Sequence, residues 1–338
     1  MSFLHQIFNV YLGVPTALIG VVTSSLSLGF FLRDSTTFLG TRILLFSVSI
    51  TDISHLALYA FYHLTEDLIQ HTPSTRLTVF LAITFYGRNV FELARNWLLV
   101  VVALERLLFF LRPIDFVQLW TPAMVTAAVA VVMVSVLLVG IPSLLYQLPD
   151  VSLEAERNYR MAYTLMECFF LTILPIVSMI VLFLATKMQV KKTALKHNEI
   201  CSDTDSSAKR VMGILQTILV TFTVFMIPCF FSSVLHFYCQ YYQLCTSPIM
   251  EALENGLIAV AKYFSIVIST SNFFIYILQS QGYRQRLIYM LRLQHFRWFR
   301  AHGDGGVERM QDTTGGVADT ERGERRNRND RSGDDAEQ

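Results

Sequence analysis

Seven stretches of this chain are apolar for long enough to cross a lipid bilayer, at about 8–32, 43–64, 78–111, 121–147, 162–188, 208–238 and 250–279. A run of about 20 apolar residues, at 1.5 Å rise per residue, matches a hydrocarbon core of roughly 30 Å. Lipid offers no hydrogen bonds, so each backbone N–H and C=O in such a run needs an internal partner. The stretches must therefore be helices. Buried helices of a soluble protein are the weaker reading. Hydrophobic residues make up 53% of the chain and charged ones 16%, and the charges fall mostly between the runs. The predicted fold is an all-α membrane protein, a bundle of seven transmembrane helices occupying residues 1–300. The first stretch reads as a retained span. It is too long for a cleaved leader, and no basic residue precedes it.

Charge between the spans predicts the orientation. One set of loops carries Arg33, Arg42, Arg112, Lys187, Lys191, Lys192, Lys196, Lys209 and Arg210, joined by Arg284 and Arg286 after the last span. The opposite set carries Arg76, Arg157 and Arg160, offset by Glu66, Asp67, Asp150, Glu154 and Glu156. Basic loops stay in the cytoplasm, so the expected N-terminus is extracellular and the C-terminus cytoplasmic. With a formal net charge of +1 and no basic stripe, nothing points to nucleic acid as a partner.

Residues 281–299 place Tyr283, Leu287, Leu291 and Phe299 near one helical face, with Arg284, Arg286, Arg292 and Arg297 interspersed. That pattern predicts an amphipathic helix on the inner membrane surface. From Ala301 to Gln338, Gly, Asp, Glu and Arg prevail, which predicts a disordered cytoplasmic tail. Of the five cysteines, Cys168 and Cys229 fall inside spans and Cys201 in a cytoplasmic loop. Cys239 and Cys245 sit together in the last outer loop, where a disulfide is permitted; spacing alone does not fix its geometry.

Ionisable groups inside the spans are the candidate functional residues, because a charge at the bilayer centre costs from about 3 to more than 10 kcal/mol unless paired or hydrated. Arg88, Glu92 and Arg95 are spaced by four and three, so they share one face of the third span. Asp52 lies within the second span, Glu167 in the fifth and Lys262 in the seventh. Two readings of these charges stand: a ligand site, or a self-neutralising network that holds helices together. No metal-ligand spacing and no nucleophile–base pair recurs inside the spans, so no cofactor is expected and an enzyme is disfavoured. A transporter would show repeat symmetry and helices broken at mid-membrane, and no repeat is visible.

The third span ends in Ala103-Leu104-Glu105-Arg106-Leu107, with Pro113 seven residues after the arginine. Pro175 interrupts span five, span six carries Phe222-Thr223-Val224-Phe225-Met226-Ile227-Pro228, and span seven carries Asn272-Phe273-Phe274-Ile275-Tyr276. Together with Asp52, these landmarks resemble the rhodopsin-like family of G-protein-coupled receptors over roughly residues 8–300. Glu105-Arg106 matches the start of the family's Asp/Glu-Arg-Tyr motif, and Asn272 and Tyr276 match the ends of Asn-Pro-x-x-Tyr. The resemblance implies an outer ligand pocket and an inner cleft for a heterotrimeric G protein. Arg106 would close that cleft at rest. Phe222 and Pro228 would pass on the movement of helix six, and Tyr276 would support the open state. Arg88, Glu92, Glu167 and Lys262 match pocket-facing positions. Glu92 or Glu167 would take a ligand guanidinium or amine, and Arg88 or Lys262 a carboxylate or amide carbonyl, as suits a short peptide.

The departures are as specific as the matches. Ser24 stands near the usual helix-one asparagine, Met226 replaces the tryptophan before Pro228, Phe273 replaces a proline, and Phe183 replaces a tyrosine. The cysteine that normally staples helix three to the second outer loop is missing. Ala208, Lys209 and Arg210 stand where an acidic partner of Arg106 is usual, which predicts a weaker resting lock. Aminergic receptors need an aspartate at Arg88, and opsins a lysine at Ile266, so neither subclass fits. The run Arg95-Asn96-Trp97-Leu98 is similar to that of invertebrate neuropeptide receptors and nematode chemoreceptors. Arg95 stands beside Asp52, which holds sodium in many family members. A bidentate Arg95–Asp52 pair is expected, with a built-in cation replacing the ion; the alternative pairs Arg95 with Glu92 and leaves Asp52 to Ser269 or Asn272.

Overall fold

Long helices account for nearly all of the described chain. The computed structural model describes 4, 6–33, 38–71, 75–112, 115–147, 153–197, 204–242 and 247–279, and no strand occurs among them. The expected surface helix at 281–299, the tail from Ala301, and Cys245 lie outside the described residues, as do the side chains of Lys209, Arg210 and Tyr276.

Helix α1 spans Gln6–Arg33, wound as a π-helix over Gln6–Gly13 and as an α-helix over Val14–Arg33. Helix α2 is Leu39–His71 and α3 is Thr75–Leu111. Helix α4 begins at Pro122, where Thr121 caps the end by accepting from the Met124 N–H at 3.3 Å. It runs to Val139, breaks at Gly140, and resumes as Ile141–Leu145. Helix α5 is wound in three parts: α over Leu153–Met166, π over Glu167–Ile173, and α again over Leu174–His197. Helix α6 is Thr204–Tyr242, and α7 is Pro248–Gln279. The helices extend past several expected span edges, most clearly where α5 reaches His197 and α6 starts at Thr204, so most of the expected inner loop at 189–207 is helical.

Among the described residues, six helical segments are long and apolar enough to cross a membrane: Gln6–Arg33, Leu39–Thr65, Pro122–Leu145, Ala155–Lys192, Val220–Tyr242 and Pro248–Ile275. The chain has the architecture of a multi-pass membrane protein. Helix α3 has the length but not the composition, because Arg88, Glu92 and Arg95 interrupt its apolar run. These three side chains are nonetheless buried, at 3%, 5% and 0% exposure. The polar stripe of α3 faces the protein interior, the reverse of a soluble amphipathic helix.

Small residues set the closest approaches. A Cβ on Gly20 of α1 would fall 2.6 Å from Leu56 of α2 and 2.5 Å from Thr270 of α7. A Cβ on Gly140 would fall 2.8 Å from Val90 of α3. Backbones meet tightly at small residues because lipid tails supply no hydrophobic drive between helices, leaving packing to do it. Helix α4 is apolar all round; only Val125 and Val136 are buried along Pro122–Val139, as expected of a helix coated by lipid.

Candidate functional site in the charged interior

The break in α5 begins with a missing donor. Pro175 has no N–H, so the carbonyls that a helix would pair with it, four or five residues back, lose their partner. Those carbonyls belong to Leu171 and Phe170. Helix α3 answers both: the Asn96 side-chain amide donates to the Leu171 oxygen at 3.0 Å, and Trp97 Nε1 donates to the Phe170 oxygen at 3.2 Å. The helix widens into the π turn over the same segment, and Thr172 Oγ1 donates to the Glu167 carbonyl at 3.0 Å. Glu167 therefore sits at the first position of a deformed turn whose geometry α3 holds.

Glu167 accepts from Lys262 Nζ of α7 at 2.7 Å. Glu92 of α3 accepts from Ser265 Oγ, one turn along α7, at 2.5 Å, while its second oxygen has no hydrogen-bond partner among the described residues. Glu92, Glu167 and Lys262 line one cavity of about 20 Å³ with Thr172, Ser232 and Ser233. That space holds about one water, far below a drug-sized ligand pocket. Three of the four expected ligand-site residues are thus brought together. Arg88 is the exception: its guanidinium lies 4.8, 5.2 and 6.0 Å from the ring centres of Phe85, Tyr62 and Tyr59. The aromatic faces of α2 and α3 draw it aside from the cavity.

Arg95 makes neither expected pair. Nε and Nη2 donate to Asn96 Oδ1 at 3.1 and 2.9 Å, Nη2 also to Ser265 Oγ at 3.2 Å, and Nη1 to the Ser265 carbonyl at 2.9 Å and to Ser269 Oγ. No carboxylate of a described residue lies within 4.0 Å. The bidentate Arg95–Asp52 pair is therefore corrected. Two serines on α7 and the adjacent asparagine supply enough acceptors to saturate the fork, so a carboxylate is not required. Asp52 accepts from Asn272 Nδ2 at 2.9 Å, the arrangement weighed as its alternative. Ser269 and Asn272 are i and i+3 on α7, so the two charges flank one helix face. Glu92 reaches Arg95 only through Ser265.

At the other end of α3, Glu105 is fully buried and accepts from Thr41 Oγ1 of α2. Arg106 beside it is half-buried and forms no ion pair with a described residue. Phe222 and Met226, one turn apart on α6, are 1% and 2% exposed, and Pro228 lies inside the unbroken helix. Cys239 is disulfide-bonded, whereas Cys168 and Cys229 are free thiols. Near Cys239, His236 of α6 lies 2.6 Å from Glu254 of α7, a tie that pattern reading missed. Ser265 was missed as well. Its signal was available: Ser265, Ser269 and Asn272 repeat on α7 the spacing of Arg88, Glu92 and Arg95 on α3.

No family model matches the chain, and no curated protein matches it.

Proposed function

We propose that the chain is a cell-surface receptor of the rhodopsin-like, G-protein-coupled type, with α3 as a seventh crossing, the N-terminus outside and the C-terminus inside. In this reading an extracellular ligand, a short peptide, engages the charged interior, and a heterotrimeric G protein engages the opposite end around Arg106. One observation carries the proposal: carboxylates and an ammonium from α3, α5 and α7 converge on one cavity inside a bundle of membrane-length helices. Intramembrane charges cost too much to be kept without a structural or functional return. Here one Glu92 oxygen is left without a hydrogen-bond partner among the described residues, which a purely structural network would not require.

The cavity is too small to take a ligand group larger than water, so ligand entry must part Lys262 from Glu167. A ligand guanidinium or amine at Glu167 would replace Lys262 in kind. Such an exchange shifts a conformational equilibrium only through different affinity for the two states. The deciding experiment is a G-protein dissociation assay on cells expressing the wild-type chain or Arg106→Ala, challenged with a panel of amidated peptides. A response to wild type that Arg106→Ala abolishes at equal surface expression is expected. Uptake or current without nucleotide exchange would instead establish a transporter or channel. Activation by volatile or small organic compounds but not peptides would move the chain to the chemosensory class.

A further inference from the structure

His236 Nδ1 donates to Glu254 Oε1 at 2.6 Å and so ties α6 to α7. Residues three, four and seven apart share a helix face. On α6 that spacing puts Cys229, Ser232, Ser233 and His236 in one column, and on α7 it puts Lys262, Ile258 and Glu254 in another. The deeper members of both columns line the cavity of about 20 Å³. His236 and Glu254 form the next layer, on the side of Cys239. Solvent touches this layer. The two side chains are 16% and 10% exposed, whereas Ser232 and Ser233, one turn deeper, are buried. The neighbouring cross-links of α6 are weaker ones. Ser233 Oγ lies 3.4 Å from Thr172 Oγ1 of α5, and the Cys229 thiol donates to the Ala261 carbonyl of α7 at 3.4 Å.

Histidine is the side chain that ordinarily changes charge between about pH 5 and pH 8. The groups around His236 favour its charged form. Glu254 of α7 touches it, and Glu167 of α5 lies close enough to feel its charge. Lys262, on the same face of α7, is held by Glu167 at 2.7 Å. Arg160 and Glu156, nearer the start of α5, are bonded to each other. Along α6, Cys239 is disulfide-bonded and does not titrate. A protonated imidazole makes the bond to Glu254 charge-assisted, roughly twice as strong as a neutral bond. As pH rises through the histidine range, that charge is lost and the tie weakens.

We propose that His236 and Glu254 form a proton-dependent latch over the charged cavity. Acidic medium holds α6 against α7 and shuts the cavity; neutral or alkaline medium frees α6 to part from α7 and admit a ligand group. The shut cavity has room for about one water, so any larger group requires that parting. The latch supplies a regulation of the proposed receptor's ligand site, and rests on the receptor reading for its being bathed by extracellular fluid.

The test reads Cys229, a free thiol in the cavity wall. The full chain in detergent is treated with iodoacetamide, and modification of Cys229 is followed by peptide mass spectrometry. Each rate is divided by that of the SDS-unfolded chain at the same pH. At about pH 5.5 wild type is modified about tenfold more slowly than His236→Gln, and at about pH 8 the two rates agree to within about twofold. Glutamine keeps a neutral donor toward Glu254 and carries no charge, so its rate shows no such change. Glu254→Gln behaves as His236→Gln does. Equal rates at the acidic pH, or protection that persists undiminished at the alkaline one, overturn the proposal. Cys168, a buried thiol of α5 outside the cavity wall, is the internal control. Its rate is the same in all three chains; a rise equal to that at Cys229 shows general loosening and overturns the latch. Should His236→Gln not fold, Glu254→Gln decides by the same criteria. Should neither fold, the normalised wild-type rate itself must fall about tenfold from the alkaline to the acidic pH, and a constant rate overturns the latch. No ligand or G protein enters the measurement. A pH-gated Cys229 in a chain that activates no G protein rejects the receptor and keeps the latch; an ungated Cys229 in a chain that signals does the reverse.

Discussion

Asn96 donates to the carbonyl of Leu171 at 3.0 Å, four residues before Pro175, and the same side chain accepts two bonds from Arg95. One amide thus repairs the break in α5 and anchors the buried guanidinium of α3. Both functions follow from asparagine's having a donor and an acceptor on one planar group. Leucine at this position would fill the space and leave the Leu171 oxygen and Arg95 Nε without partners.

The first prediction concerns that amide. Asn96→Leu lowers stability by about 2 kcal/mol or more, because a buried acceptor and part of a buried charge lose their bonds together. Asn96→Asp keeps the acceptors for Arg95 and loses the donor to Leu171, so its cost is smaller. Thermal melts of the purified chain measure both. A variant pair of equal stability to wild type would remove Asn96 from this role.

The Glu167–Lys262 pair makes the second prediction. Removing one partner of a buried ion pair strands the other and costs about 3–5 kcal/mol. Lys262→Met and Glu167→Gln should each lower the melting temperature sharply, and the double variant should recover most of the loss. Additive losses in the double variant would show that the 2.7 Å contact carries no coupling.

A third prediction addresses sodium. Arg95 places a fixed charge on the α7 face that also engages Asp52, so an added ion has little to gain there. Replacing sodium by choline should leave the melting temperature unchanged. A sodium-dependent rise that Asp52→Asn removes would refute the built-in cation.

Thr41 and Glu105 give the fourth. The carboxylate of Glu105 is engaged by Thr41, and its other oxygen has no partner among the described residues. Thr41→Val removes the bond but not the volume, and should cost about 1–3 kcal/mol. In cells, the wild-type chain should signal above mock-transfected background without ligand, because Glu105 is turned toward α2 and Arg106 has no described acidic partner. Basal activity no higher than mock would count against that reading.

The helices were legible because their signal is local. Length and apolar content select a span one residue at a time, so every long helix lies where hydropathy placed it, to within several residues at the ends. The charged face of α3 was legible too, since a spacing of four and three is a statement about one helix. Partner choice was not. Arg95 and Asp52 were matched by family position and opposite sign, but the serines at 265 and 269 offered closer acceptors, and nothing in a one-dimensional pattern ranks a serine 170 residues away above an aspartate on the preceding span.

The sequence by itself determined that this chain is helical, membrane-compatible and charged inside, because solvent transfer acts on each segment separately. Only the tertiary structure decided which charges meet. Glu167 found Lys262, Arg95 found serine and asparagine, and Arg88 found aromatic rings. Those outcomes depend on the rotation and depth of each helix against its neighbours. Small residues such as Gly20 and the proline-induced turn of α5 set them, through close packing and unmet backbone hydrogen bonds.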